Sequence, residues 1–511
     1  MGVRRESSAE RYDVIVIGSG MGGLSAAALL AKSGKRVLVV ERDDRAGGYA
    51  QSFQLKRYHF DAAVHLVGGC QGGLIDGLLR SLGVRDLCKF TEVSPFYTAV
   101  FPGVRADVPT GGKEFVQALS LQFPQEEKGF ARMVELCSQL NGEARRFPDK
   151  PSIFDLLRTP SSFPTLFKYR SSTLEQVMDQ HLTDPKARAL FASLWPYLGL
   201  PPSRVSFLYW STMMMSYLDE GAYYCQGTFQ NLANALVEAI RRSGGEVLLL
   251  SRVRRIAVSG GAVTGVVLEN GQRIESDLVV SNVDARQTFE ELVGADELPA
   301  HFMRKLRRMR PSLSAFVLFL ATDLDLRKLG ATHEMFLNGT WDQEEAYRKI
   351  LTGVPAAIGV DVPTLIDPSL APPGEHIIIA TSLIPYEVGA PWKQEKARYS
   401  ELIMKELEKV FPGLGEHTTF IEGASPRTME RYTLNLTGAV YGWEVTPDQV
   451  GPGRMARETP IRGLYLSGHW TQPGGGVYGV VVSGVLTAQA ILGRNLFEEI
   501  ARGAPVSPPT D

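Results

Sequence analysis

The residues whose types and spacing most clearly could do chemistry stand near the start of the chain, in Gly18-Ser19-Gly20-Met21-Gly22-Gly23. Gly18 permits a tight turn, Gly20 lets backbone approach a pyrophosphate, and Gly23 lets a helix pack closely on the preceding strand. Gly22 stands between them, where the free N–H groups of the helix start face phosphate charge. Glu41 follows. Its carboxylate suits a ribose 2'-hydroxyl and disfavours a 2'-phosphate. Beyond it, Arg42, Arg45 and the pair Gly47-Gly48 offer guanidinium and backbone donors to the same pyrophosphate. Near the other end, Gly468-His469 precede Pro473-Gly474-Gly475-Gly476-Val477. Gly474, Gly476 and Gly479 repeat the Gly-x-Gly-x-x-Gly spacing, but no strand ending in an acid follows. This second loop therefore reads as a helix amino terminus aimed at an electron-rich ring edge, not as a second nucleotide site.

These residues need particular elements to position them. Residues 12–17 form a β-branched run suited to a strand buried on both faces, residues 24–32 an Ala/Leu-rich helix, and residues 35–40 the next strand, ending at Glu41. Strand, Gly loop, helix, strand and acid in that order predict dinucleotide binding without separating FAD from NAD. At the far end, residues 463–467 read as a strand and 477–492 as a helix of small and apolar residues. Residues 76–220 lean to helix, interrupted by Phe and Pro, with poor strand periodicity. A helix over 227–242 ends at Gly244-Gly245. Strands over 246–250, 253–258, 263–268 and 278–281, with a hairpin turn at 269–272, predict a second βαβ-like portion that completes the cofactor sheet. Strands over 314–321 and 376–383 and a helix over 394–410 predict an antiparallel sheet flanked by helices.

The expected fold class is α/β, a Rossmann-like dinucleotide-binding domain with an interleaved α+β substrate domain and a helical, membrane-contacting region. Residues 1–75, 221–290 and 431–511 would form the discontinuous cofactor domain, 76–220 the helical region and 291–430 the substrate domain. The Pro-rich tail after Gly503 reads as disordered.

A chain of 511 residues with 44% hydrophobic and 22% charged residues is long enough for two or three lobes and for burying a large ligand. A net charge of -2 with no like-charge block excludes an extended nucleic-acid partner. Cys70, Cys88, Cys137 and Cys225 are scattered and make neither a metal knuckle nor a Cys-x-x-Cys dithiol, so no metal is expected. The opening residues carry no apolar run of export-signal type, and no apolar run of about eighteen residues occurs. The expected location is cytoplasmic, soluble or on a membrane surface. Two apolar segments invite a ligand as well as a core: residues 204–218, crowded with aromatic and thioether side chains, and Phe163, Leu166, Phe167 and Tyr169 beside Lys168 and Arg170, a pattern that suits a membrane surface.

The opening Gly loop with Glu41 and Gly47-Gly48, the stretch Asp277-Leu278-Val279-Val280-Ser281-Asn282, the run Ile366-Asp367-Pro368-Ser369-Leu370-Ala371-Pro372-Pro373-Gly374, and the ending from Gly463 to Val477 with Ser483-Gly484 together resemble the phytoene desaturase and carotenoid isomerase family of FAD enzymes. Retinol saturases are more distant members. The resemblance spans nearly the whole chain and is weakest over 76–220. It implies FAD bound by the first, third and last segments and an apolar tunnel built by the other two. On the residues, that assigns FAD contacts to Gly18, Gly20, Gly22, Gly23, Glu41, Arg42, Arg45, Gly47, Gly48, Val253, Gly468, His469, Gly475, Gly476 and Val477.

The sequence departs from the family at His469, where an acidic residue often binds the ribityl chain; an imidazole nitrogen can make that hydrogen bond, and imidazole is readily tuned near neutral pH. His65 follows a segment that in this family passes near the flavin. His469 and His65 are the candidate catalytic residues. Tyr441 and Trp443 are candidates to flank the ring. The implied reaction is desaturation, isomerisation or saturation of a long hydrophobic carotenoid, retinoid, isoprenoid or acyl chain through flavin N5, with quinone or oxygen as a separate electron acceptor and no bound nicotinamide. Two other readings stay open: an amine-oxidase-like flavoenzyme on a smaller substrate, and a flavin-carrying membrane-associated protein without turnover.

Overall fold

The structure, a computed structural model, describes residues 11–503 and Val506. The expectations for the first ten residues and for most of the Pro-rich tail lie outside the described residues. At the centre is a five-stranded parallel sheet in the order Leu464–Leu466, Val279–Ser281, Val14–Ile17, Val37–Val40, Glu246–Leu248. Its central strand, Val14–Ile17, is wholly buried because both faces are covered. Val14 and Val16 point to the helical side, whereas Ile15 and Ile17 point to the opposite core, as a period of two requires. The opening helix, Met21–Lys32, lies on the helical side and packs against the closing helix, Val477–Leu492. Their approach is close enough that a Cβ on Gly484 would stand 2.5 Å from the Gly22 carbonyl oxygen.

The third segment divides differently from the expectation. Glu246–Leu248 and Val279–Ser281 do join the parallel sheet, but Val253–Ser259, Ala262–Leu268 and Arg273–Glu275 form a separate antiparallel sheet. Their tight connections explain this, since a hairpin joins antiparallel neighbours and a parallel pair needs a long crossover. Ile256, Val266 and Ile274 cap the Ile15 and Ile17 face.

The second lobe holds a seven-stranded sheet in the order Thr418–Ala424, Ser314–Thr322, His376–Ile384, Ala357–Asp361, Glu334–Asn338, Tyr97–Phe101, Val104–Val108. Its last two strands correct the helical reading of residues 76–220: the hairpin through Pro102-Gly103 adds to the sheet edge, parallel to Glu334–Asn338. Tyr97, Thr98, Ala99 and Phe101 are all buried, so the alternation that marks a half-exposed strand is missing. One face of the sheet, with Phe316, Leu318 and Ile378, packs on the helix Trp392–Val410. The other, with Val317, Phe336 and Leu383, turns toward the cofactor lobe. Among the described residues, no helix is long and apolar enough to cross a membrane.

Candidate active site

A cavity of about 370 Å³ runs between the two lobes. At one end its wall is backbone. Gly18, Ser19, Gly20, Met21 and Gly22 line it at the amino terminus of the opening helix, and Gly475, Gly476 and Val477 line it at the amino terminus of the closing helix. Neither helix has an acidic residue in its first turn, so both present unsatisfied N–H groups and the positive ends of their dipoles to one space. The loop can close so tightly only without side chains. A Cβ on Gly20 would lie 2.6 Å from Asn282 Nδ2, and one on Gly22 would lie 2.8 Å from the Cα and N of Gly468. Gly47 and Gly48 join the same wall, the Gly47 N–H donating to the Ser19 carbonyl at 2.9 Å.

Glu41 is 8% exposed and lines the cavity. Its Oε2 accepts from the Ser19 N–H at 2.8 Å and from the Ser19 hydroxyl at 2.6 Å, and its Oε1 accepts from the Asp43 N–H at 2.9 Å. The carboxylate thus braces the Gly loop as well as facing the cavity. Arg42 and Val253 line the same end. Arg45 does not: its guanidinium holds Asp44 and the Ser52 carbonyl, away from the wall. Gly23 lies behind the wall, where a Cβ would meet the Gly18 carbonyl at 2.5 Å, so it serves helix packing. These glycines, helix ends and donors fit a dinucleotide with a ring system lying beyond its pyrophosphate.

Gly468 and His469 line the cavity where the first, third and last segments meet. The His469 ring stands 6.1 Å from Tyr49 and 5.2 Å from Trp470, centroid to centroid. Burial, with a contribution from the Arg454 guanidinium, pushes its pKa down to about 3. His469 is therefore neutral in the physiological range, a hydrogen-bonding group and not a charge. Tyr441 lines the cavity, its hydroxyl donating to the Pro196 carbonyl at 3.0 Å. Trp443 is off the wall, fully buried, its Nε1 donating to the Trp470 carbonyl.

The other end is apolar. The crowded segment folds as the helix Phe207–Leu218, and its two faces divide the two readings of it. Tyr209, Thr212, Met213, Ser216 and Tyr217 recur at helical spacing along the cavity, while Phe207, Trp210, Met214 and Leu218 fill the core. Val317, Phe336, Gly359 and Leu383 of the large sheet supply the opposite wall. His65 lines this end, its Nδ1 at 2.6 Å from Asp361 Oδ2 and 3.6 Å from Glu334 Oε2.

Three residues of this site escaped the sequence reading. Asn282 sits against Gly18, Gly20, Gly22, Gly23 and Gly468, and its place in the quoted stretch 277–282 was the available signal. Glu334 and Asp361 gave none, because an isolated acid in a strand reads as a solvated residue until its pairing is known. The patch read as membrane-touching also shifts. Tyr169 is buried and Phe163 packs on Phe147, whereas Ile153, Phe154, Leu156 and Leu157 are each more than half exposed, with Phe167 beside them in the next helix.

The sequence profile described as flavin containing amine oxidoreductase matches residues 21–492. The chain is 28% identical to the all-trans-retinol 13,14-reductase of Rattus norvegicus over 96% of its length and 87% of that protein's. It is 29% identical to prolycopene isomerase 2, chloroplastic, of an Oncidium hybrid cultivar, covering 96% of this chain and 86% of that one. It is also 29% identical to the neurosporene-forming phytoene desaturase of Rhodobacter capsulatus, covering 93% of each. Among solved structures, the cyclohexylamine oxidase of Brevibacterium oxydans superposes with a TM-score of 0.60 at 17% identity, over 94% of this chain and 99% of that one.

Proposed function

The chain belongs to the family of flavin containing amine oxidoreductases and is an FAD-dependent oxidoreductase, and from that premise we propose that it acts on carbon–carbon double bonds of a long hydrophobic polyene. The observation that carries this reading is the cavity itself: it leads from two helix amino termini to a wall of Met213, Val317, Phe336 and Leu383. The names of the relatives, a retinol reductase, a carotenoid isomerase and a phytoene desaturase, point to the same substrate class.

In this reading the N–H groups of Gly20 to Gly22 and of Gly47 and Gly48 hold the pyrophosphate, and Glu41 accepts from the ribose. Gly475, Gly476 and Val477 direct the closing helix at the ring edge where negative charge collects on reduction. When bound, FAD supplies a two-electron, hydride-transferring centre. His469, neutral at working pH, hydrogen-bonds the cofactor and does not act as an acid. The apolar wall excludes water and orients the chain. His65 handles the proton at the substrate end.

We infer that the polyene is taken from a lipid surface. The helix Ile153–Ser162 has no buried residue and exposes Ile153, Phe154, Leu156 and Leu157, with Arg146, Lys150 and Lys168 nearby in sequence. It follows shortly after Arg145, whose guanidinium donates to the hydroxyl of the cavity-lining Tyr478 at 2.9 Å. The F154S/L157S variant should lose sedimentation with vesicles containing anionic lipid while keeping its flavin spectrum; undiminished sedimentation would remove this surface from the account.

Tyr197, Tyr217 and Tyr441 on the same wall keep an amine-oxidase-like reading in view. Anaerobic mixing separates the two. Retinol, prolycopene or phytoene should yield a product with an altered double-bond count, with oxidised flavin reduced by desaturation or reduced flavin oxidised by saturation, or with altered double-bond geometry and no net change of the flavin. Flavin reduction by alkylamines alone would refute the polyene reading.

A further inference from the structure

Glu334 and Asp361 stand directly opposite each other on neighbouring antiparallel strands, in the pairing Glu334↔Asp361. Residues two positions along each strand, Phe336 and Gly359, line the cavity, so both carboxylates project from the cavity-facing side of the sheet. Glu334 is 0% and Asp361 1% exposed. No Lys or Arg forms an ion pair with either among the described residues. Their one cationic candidate is His65, at 2.6 Å from Asp361 and 3.6 Å from Glu334. None of the four carboxylate oxygens, nor His65 Nδ1, has an aligned hydrogen bond in the structure. Two buried carboxyls and an imidazole with no other polar partner is a costly arrangement unless the three share protons among themselves.

We propose that His65, Glu334 and Asp361 form a proton-holding site, with one proton shared by the two carboxyls and a second on His65, and that His65 is the proton donor to the polyene. Two adjacent carboxylates in a dry interior cannot both stay ionised beside a single imidazole, so one proton between them and one on the ring gives a group with no net charge. The direction of each group agrees. His65 is held well above its ordinary value by Asp361 and Glu334 in spite of its burial. Burial and the Glu334 charge push Asp361 well up, whereas Glu334, beside the Asp361 carboxyl and His65, is kept low in spite of burial. The other titratable groups facing the ring do not compete for that proton. Burial pushes His333 down to about 4, and its Nε2 meets the His65 carbonyl at 3.2 Å. Asp61 is raised to about 6 by burial and tied to Ser52, Tyr224 and the Phe229 N–H. The hydroxyls of Tyr197 and Tyr217 are pushed up by burial.

Nδ1 is enclosed against Asp361, and the side chain, 11% exposed, lines the cavity, which leaves Nε2 as the ring nitrogen able to act there. This inference rests on the polyene reading and gives it a direction. A cationic imidazole donates a proton and does not accept one, so it favours saturation of a double bond. One carbon takes a hydride supplied by reduced flavin, and its neighbour takes the proton from His65 Nε2. The alkene gains two electrons, the flavin loses two, and a proton from solvent returns His65 Nε2 to its cationic state while the carboxyl pair keeps its shared proton. Glu334 and Asp361 are positioning residues, acting through His65.

The test has three arms. In the flavin-loaded protein with 15N-labelled histidines, one ring, assigned by its loss in His65→Gln, should stay cationic above the ordinary histidine range; a neutral ring at pH 7 overturns the proposal. In the wild-type enzyme, polyene reduction in D2O should place solvent deuterium on the carbon that receives the proton as well as on the carbon that receives the exchangeable flavin N5 hydrogen, His65→Gln should slow it by about 100-fold or more, and Asp361→Asn should move the basic limb of the pH profile toward lower pH. Turnover by His65→Gln at the wild-type rate, or an unmoved limb, overturns the donor role and leaves the polyene reading intact. If the wild-type enzyme turns over no polyene, that reading fails and the donor role with it, whatever the histidine titration gives. Stoichiometric metal in the purified protein, lost in Glu334→Gln, overturns the proton-holding site in favour of a metal centre.

Discussion

Gly22→Ala should strike the seam on which the whole cofactor site depends. The new Cβ would stand 2.8 Å from both Cα and N of Gly468 and 2.9 Å from Asn282 Oδ1. Carbon atoms in contact prefer about 3.5–4.0 Å, so the 468 loop must recede by roughly 0.7 Å or more. Both residues line the cavity, so the displacement occurs where the cofactor must sit. Overpacking of this kind costs about 1–3 kcal/mol. If that cost is paid chiefly in the geometry the cofactor needs, FAD affinity falls by about 5- to 150-fold. The assay is titration of the flavin-free protein with FAD, followed by flavin fluorescence, together with melting curves of both forms. Gly72→Ala is the control: Gly72 has a positive φ of 73° but nothing within 4 Å of its Cβ position, so it carries the backbone cost of about 1–2 kcal/mol and should leave FAD affinity unchanged. Parental affinity and melting in Gly22→Ala would refute the packing argument. An equal loss of affinity in Gly72→Ala would refute its localisation.

Acid should reveal the neutral His469. Its folded pKa of about 3 lies below the unfolded value of about 6.5, so between these values the unfolded chain binds the proton and the native one does not, and stability falls as pH falls. His469→Gln should therefore lose about 3 kcal/mol less than the parent on going from pH 7 to pH 4 in urea titrations; equal losses would mean that the imidazole is not held neutral. Gly359 has ordinary backbone and lines the cavity, with Phe336 Cε1 3.8 Å from its Cβ position. Gly359→Leu should lower kcat/KM for a polyene by about tenfold or more while leaving the flavin spectrum unchanged, and an unaltered kcat/KM would move the substrate path elsewhere.

The sequence by itself determined the cofactor half. Gly18, Gly20, Gly22 and Gly23 with Glu41 were legible because close backbone approach, a positive φ at Gly18 and a strand-ending acid are local demands, met within one strand–helix–strand unit. The closing loop at Gly475, Gly476 and Val477 was legible for the same reason. Arg45 was read from its neighbourhood, and the structure turns it to Asp44, because the aim of a long side chain depends on which partner lies nearest in space. The strands at 97–108 were hidden, since burial on both faces removes the alternation by which a strand is recognised. Only the tertiary structure decided the end of the cavity where His65 stands. Glu334 and Asp361 are separated in sequence and each looks like a surface acid, but sheet register sets them opposite each other and fold closure brings His65 between them and the cavity. Local geometry is written in residue type and short spacing. Which charges share a dry interior is set by pairing across the chain, which no local pattern records.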